Sequence, residues 1–129
     1  MIVVDTSALM AILLDEDAAD ACSECLSESD QIALSAGTYA EALLVARRRG
    51  VRGELTELLK GLGCEIVPLT EAEAVRVADA YERFGKGAHP AGLNFGDCFA
   101  YVLACQRNWP LLFVGSDFAQ TDVEVAVQF

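Results

Sequence analysis

The sequence predicts an α/β fold in which helices cover both faces of a central parallel sheet. Three observations predict it. Short β-branched runs alternate with longer stretches of helical periodicity along all 129 residues. Alternation of that kind places successive strands parallel, because each helix carries the chain back to where the next strand starts. No repeat or linker interrupts the pattern, so residues 1–129 read as a single domain, long enough to bury roughly two thirds of the surface its unfolded form exposes.

The elements follow in order. Ile2 to Val4 is a buried strand, and Ser7 to Leu14 is a helix that runs into the acidic turn Asp15-Glu16-Asp17. Ala18 to Ser27 makes a second helix and Ile32 to Leu34 a short strand. Ser35 to Arg49 is helical, with Leu43, Leu44 and Ala46 in its interior and Gly50 as a left-handed cap. Val51 to Leu62 is a helix closed by Gly63, and Cys64 to Val67 is a strand ended by Pro68. Thr70 and Glu73 have capping-box spacing before a helix whose Ala74, Val77, Ala78 and Tyr81 share one face. Three glycines and a proline between Gly85 and Gly92 make a loop. A helix from Phe95 to Gln106, a strand from Leu111 to Val114, a turn at Gly115 and Ser116, and a last strand near Val123 to Val127 complete the chain.

Composition narrows the classes. Hydrophobic residues make up 53% of the chain, which excludes disorder. The longest apolar run, Ala8 to Leu14, is about a third of a membrane span, so a cytoplasmic protein is expected. So much apolar character in a small chain predicts an oligomer or an apolar partner. The net charge is −11, which argues against a non-specific nucleic-acid coat. Arg47, Arg48, Arg49 and Arg52 nevertheless form a local basic ridge. The five cysteines, including the Cys22-Ser23-Glu24-Cys25 pair, read as small hydrophobes, since a zinc site needs further ligands and His89 is the only histidine.

In a parallel sheet, ligands sit outside the carboxyl ends of the strands, where the strand order reverses. Asp5 ends the first strand and Asp117 lies just past Leu111 to Val114. Glu41 lies in or near the first turns of its helix and Asp97 at the third position after the cap residue Asn94, and helix starts that follow strands point at the same edge, so all four can converge there. Singly, each also fits a local role: Asp5 as helix cap, Glu41 with Thr38, Asp97 with Asn94, Asp117 as turn residue. Jointly they repel by about 1 kcal/mol or more per pair even in polar surroundings. No Lys or Arg lies within five residues of Asp5, Asp97 or Asp117 to offset this. A hard divalent cation does so, and an all-oxygen donor set favours Mg²⁺ or Mn²⁺. Mg²⁺ on a few carboxylates completes its shell with water and phosphate oxygens, which points to phosphate-ester chemistry.

The stretches MIVVDTSAL, AGTYAEALLV, HPAGLNFGDCFAYVLA and LLFVGSDFAQTDV, in this order over the whole chain, resemble a PIN-domain ribonuclease of the VapC toxin type. The resemblance implies a three-layer α/β/α sandwich and a Mg²⁺- or Mn²⁺-dependent endoribonuclease restrained by a VapB-type antitoxin. It implies Asp5 and Asp97 as principal metal ligands, with Glu41 and a fourth acid completing the catalytic cluster. Asp117 is the choice for the fourth acid and Asp122 the reserve, because Ser116 stands where many relatives carry a second acid or amide. Thr6, Ser7, Asn94 and Ser116 are the supporting polar residues. It further implies a homodimer whose two acidic sites share a groove, and the four arginines are expected to flank that groove and hold RNA backbone. Lys86 and His89 are expected in a mobile surface loop.

Three rival readings remain on the sequence. A phosphatase with Asp5 as nucleophile lacks the second aspartate at position 7, which is Ser7. A phospho-receiver domain needs a lysine after a late strand, and the only lysines are Lys60 and Lys86. A catalytically silent PIN-like binding module would show itself by a lost acid, and all four are present.

Overall fold

Three hydrophobic residues in a row at the start of the chain have to be buried on both sides, and the structure does this by making their strand central. The structure, a computed structural model, describes residues 1–129. It has four parallel strands, β1 (Ile2–Val4), β2 (Ile32–Ser35), β3 (Glu65–Val67) and β4 (Leu111–Leu112), in the spatial order β3-β2-β1-β4. Six helices join them: α1 (Thr6–Leu13), α2 (Ala19–Ser27), α3 (Ala36–Arg48), α4 (Arg52–Leu62), α5 (Glu71–Phe84) and α6 (Phe95–Arg107). The sheet builds outward from β1 to β3 and then returns to the other side of β1, so the strand order reverses between β1 and β4. Val3 pairs with Ala33 on one side and Leu111 on the other.

Strand side chains alternate between the faces. Ile2, Val4, Ile32, Leu34 and Leu112 pack with Leu9, Leu26, Ala42 and Leu55 beneath α1 to α4. Val3, Ala33, Leu111 and Phe113 pack with Val77, Phe84, Leu93 and Val102 beneath α5 and α6. These two cores make the three-layer α/β/α sandwich. Removing a fully buried side chain such as Leu34 costs about 2–5 kcal/mol, because both the transfer energy and the cavity count.

The chain departs from the sequence reading at several places. The expected last strand over Val123 to Val127 is a single parallel bridge, Val125 to Leu111. β4 is two residues long, since the Val114 N–H donates to Ser7 Oγ at 3.0 Å instead of to a neighbouring strand. The buried face of α5 is Val77, Ala80 and Phe84, while Ala74 and Ala78 are exposed and Tyr81 is 36% exposed. Alanines do not fix the phase of a helix; Phe84, the largest apolar residue of the segment, does. The loop expected to be mobile is tied down: Gly85 bridges Leu93, the Lys86 N–H donates to the Leu93 carbonyl, and the Ala91 N–H donates to His89 Nδ1.

Gly63 ends α4 in the left-handed conformation, as expected. All five cysteines are free, with Cys22 and Cys98 buried and Cys105 exposed. No helix is long and apolar enough to cross a membrane.

Candidate active site

The strand order reverses between β1 and β4, the point at whose carboxyl edge parallel sheets bind their ligands, and Asp5 is the residue that β1 delivers there. Asp5 is 3% exposed. Its extended backbone makes it the N-cap of α1, and Oδ2 accepts from the Ser7 N–H at 3.1 Å and from Ser7 Oγ at 2.7 Å. Its other oxygen, Oδ1, is buried with no partner. Burial pushes the Asp5 carboxyl up to about 7; the Ser7 bonds oppose this, and the Asp97 and Glu41 charges add to it. A buried carboxylate oxygen without a donor is costly to desolvate unless something positive meets it.

Glu41 reaches the same place from the middle of α3. Thr6 Oγ1 donates to Glu41 Oε1 at 2.7 Å. Of the two supporting polar residues that follow Asp5, Ser7 bonds to Asp5 itself and Thr6 orients the second acid. Glu41 is able to lie against α6 because position 96 is glycine. A Cβ there would stand 2.7 Å from Glu41 Cδ and would overlap Oε2, so any other residue displaces the carboxylate.

Asp97 is half-buried in the first turn of α6. Its Oδ2 accepts from the Asn94 N–H at 2.9 Å, so the local capping role is real and leaves Oδ1 for other work. Burial first, then the charges of Glu41 and Asp117, push its carboxyl upward, while the Asn94 bond and the Lys86 ammonium oppose them. Asp117 is exposed at the start of a short 3₁₀ turn, Phe118–Gln120, beside exposed Ser116. Asp122 is engaged elsewhere. The Tyr101 hydroxyl donates to its Oδ1, and Arg83 lies 3.6 Å from Oδ2.

The four acids therefore gather at one edge of the sheet, Asp5 within reach of the charges of Asp97 and Glu41, and Asp97 within reach of that of Asp117, but no three of them form a complete ligand set. An open, all-oxygen arrangement with an orphaned buried oxygen fits Mg²⁺ or Mn²⁺, which retain water and substrate oxygens in their shells. Arg47, Arg48, Arg49 and Arg52 are exposed and none is paired with an acid. They lie at the far end of α3 and the start of α4, roughly 9 Å or more along the helix from Glu41. A cavity of about 230 Å³ between α5 and α6, lined by Arg76, Arg83, Tyr101 and Cys105, is separate from the acids.

Gly96 and Lys86 are the two residues of this site whose importance the sequence reading missed. Glycine inside a first helical turn costs up to about 1 kcal/mol against alanine, and that local expense is the signal that marks Gly96. Lys86 has no such signal, because its place depends on the pairing of Gly85 with Leu93.

Comparison with known proteins gives the same direction. The PIN domain family matches residues 2–124. The chain is 44% identical over 129 residues to Ribonuclease VapC28 of Mycobacterium tuberculosis, with 97% of each chain covered. Its fold is similar to that of M. tuberculosis VapC20, a toxin that cleaves the sarcin-ricin loop, with a TM-score of 0.81 at 13% identity over 99% of each chain. It is also similar to a toxin-antitoxin complex from Klebsiella pneumoniae, with a TM-score of 0.73 at 18% identity over 100% of each chain. The chain belongs to the PIN-domain family, among the VapC ribonucleases.

Proposed function

We propose that the protein is a Mg²⁺- or Mn²⁺-dependent endoribonuclease toxin that hydrolyses RNA phosphodiester bonds, with Asp5, Glu41, Asp97 and Asp117 as its acidic centre. One observation carries the reading: a buried, unpartnered Asp5 Oδ1 at the strand-order reversal, in a carboxylate raised by burial and by the neighbouring charges of Asp97 and Glu41. The 44% identity to a named ribonuclease supports the choice of RNA. Asp5 and Asp97, with Glu41 and Asp117, would hold the cation. When bound, the ion polarises the scissile phosphate and lowers the pKa of an attacking water.

The remaining work is done by the chain. Ser7 fixes the Asp5 carboxylate through two hydrogen bonds and leaves Oδ1 free. Thr6 fixes Glu41, and the Asn94 N–H fixes Asp97. Neither Ser7 nor Cys98, which flank the acids in sequence, is built to be a covalent nucleophile. Ser7 Oγ is occupied as donor to Asp5 and acceptor from Val114, and burial raises the Cys98 thiol to about 11, so it stays protonated. Hydrolysis by water gives a 5′-phosphate and a 3′-hydroxyl.

The same reading covers the partners. A VapB-type antitoxin restrains the toxin, and two copies pair as a homodimer, for which exposed Leu44, Val75 and Phe129 supply unpartnered apolar surface. Residues 1–129 act as one domain in the cytoplasm, and Arg47, Arg48, Arg49 and Arg52 hold RNA backbone. The test is cleavage of a tRNA and mRNA panel by purified protein with MgCl₂ or MnCl₂. Cleavage is expected to stop in EDTA and in Asp97→Asn, whose amide still accepts from Asn94 and keeps the helix start. Full activity in either condition would refute the proposal.

A further inference from the structure

Phe95 is 57% exposed although it opens α6, two residues before Asp97. Successive helical residues turn by about 100°, so Phe95 and Asp97 lie on opposite flanks of Gly96, over which the Glu41 carboxylate rests. The exposed ring thus leaves the helix one residue from the Gly96 on which the Glu41 carboxylate rests. It is held firmly from behind. Phe99, one turn on, meets it edge-on with centroids 5.1 Å apart, and Tyr81 of α5 meets it edge-on at 6.2 Å. Phe99 is in turn seated where α3 has Gly37, since a Cβ at that position would overlap its ring. Gly85 serves the other side, where a Cβ would strike the Tyr81 carbonyl.

An exposed, braced aromatic ring beside a phosphate-cleaving centre has the form of a stacking platform, because every base has a π-face and no hydrogen-bond code is needed. Lys86 is exposed and unpaired, placed beside the start of α6 by the bond from its N–H to the Leu93 carbonyl, and its charge reaches Asp97. An exposed cation and an exposed aromatic face, both at the start of α6 beside the acids, suit a nucleotide strand better than an apolar protein surface. We infer that Phe95 forms a stacking subsite for an unpaired base adjacent to the cleaved bond, so that the substrate crosses the start of α6 as a single strand. The inference rests on the ribonuclease reading above.

Binding of a short unstructured RNA, and of the same strand annealed to its complement, is measured by fluorescence anisotropy in MgCl₂ in the Asp97→Asn background. Adding Phe95→Ala is expected to weaken single-strand binding roughly tenfold, since base–aromatic stacking is lost. Phe95→Tyr keeps the affinity within about twofold, and duplex binding changes in neither variant. In otherwise unaltered protein, Phe95→Ala raises KM for a single-stranded substrate with kcat retained. Equal single-strand affinity and KM in Phe95→Ala overturn the subsite while leaving cleavage, and so the ribonuclease reading, intact. A change from dimer to monomer with unchanged affinity per protomer assigns the ring to a protein interface and overturns it too. No cleavage by the unaltered protein with either metal removes the ribonuclease reading itself.

Discussion

Replacing Asp5 by Asn separates the capping role of this residue from its charge. Asn caps a helix about as well as Asp, so the bond from the Ser7 N–H survives and α1 keeps its start. What is lost is a buried carboxylate raised from 3.8 to about 7 by burial and by Asp97 and Glu41. A rise of that size corresponds to about 4 kcal/mol between the protonated and ionised forms. The folded-state value lies above the unfolded one, so this contribution to stability is complete below pH 3.8 and is lost as pH rises through 7. The part of that loss that falls between pH 5.5 and pH 8 is about 2 kcal/mol. Metal-free Asp5→Asn is therefore expected to gain on the unaltered protein by about 2 kcal/mol between those two pH values, even where an unpaired buried amide N–H costs it about 1–3 kcal/mol at both. Urea unfolding in EDTA, followed by the fluorescence of Trp109, measures this. Saturating MgCl₂ should then stabilise the unaltered protein by about 2.7 kcal/mol at a hundred times its Kd and leave Asp5→Asn nearly unmoved. A stability difference that is the same at pH 5.5 and 8, with no selective response to MgCl₂, would mean that Asp5 is a helix cap and nothing more.

Three further predictions probe the rest of the site. Gly96→Ala should preserve or slightly raise the melting temperature, because only the end of the Glu41 side chain must move, yet lower RNA cleavage about a hundredfold through the misplaced carboxylate; an unchanged rate would reject the role given to Glu41. Asp117→Asn should cut cleavage with little effect on unfolding, whereas Asp122→Ala should keep cleavage and lose about 1–3 kcal/mol of stability by stranding the buried Tyr101 hydroxyl; the reverse pair of results makes Asp122 the fourth acid. Arg48→Glu with Arg49→Glu should weaken RNA binding and flatten its salt dependence by about 0.7 in log–log slope per lost phosphate contact, measured as affinity against KCl concentration. Unchanged affinity and slope would return these arginines to the ordinary role of cations at a helix end.

Much of the fold was visible in the sequence because its signals are local and strong. β1 and β2 are apolar runs bounded by polar residues, and Gly50 and Gly63 both take the left-handed conformation that ends a helix. The errors fell where a long-range contact decides the outcome. The strand expected at Val123 to Val127 has β-branched residues, yet β4 offers it only the length of one bridge, because Ser7 draws Val114 out of the sheet. In α5 the small residues Ala74, Ala78 and Ala80 suit either face, and the pairing of Phe84 with the core of α6 chose between them. The convergence of Asp5, Glu41 and Asp97 was legible from strand ends and helix starts. The bracing that makes it work was not, since Thr6 to Glu41 and Glu41 to Gly96 join residues 35 and 55 positions apart.

The local role of each acid and the chemical role proposed for it do not compete, because they use different oxygens. Asp5 gives Oδ2 to the start of α1 and keeps Oδ1; Asp97 gives Oδ2 to the Asn94 N–H and keeps Oδ1; Glu41 gives Oε1 to Thr6 and brings Oε2 against Gly96. Each carboxylate is thus held by the fold through one oxygen, and its second oxygen takes no hydrogen bond from the chain. This division also explains why capping rules describe the sequence around Asp5 and Asp97 so well: in the proposed site the caps would be the positioning devices. A side chain held through one oxygen at a partly dry site loses little further freedom when a cation arrives, whereas an unanchored carboxylate would have to be ordered at that moment. Ser7 extends the arrangement across the sheet, since its Oγ joins the Asp5 carboxylate at the end of β1 to the Val114 N–H just past β4. The two strands between which the topology reverses are therefore locked together through the first acid, and they cannot separate at this edge without breaking the bonds that orient it.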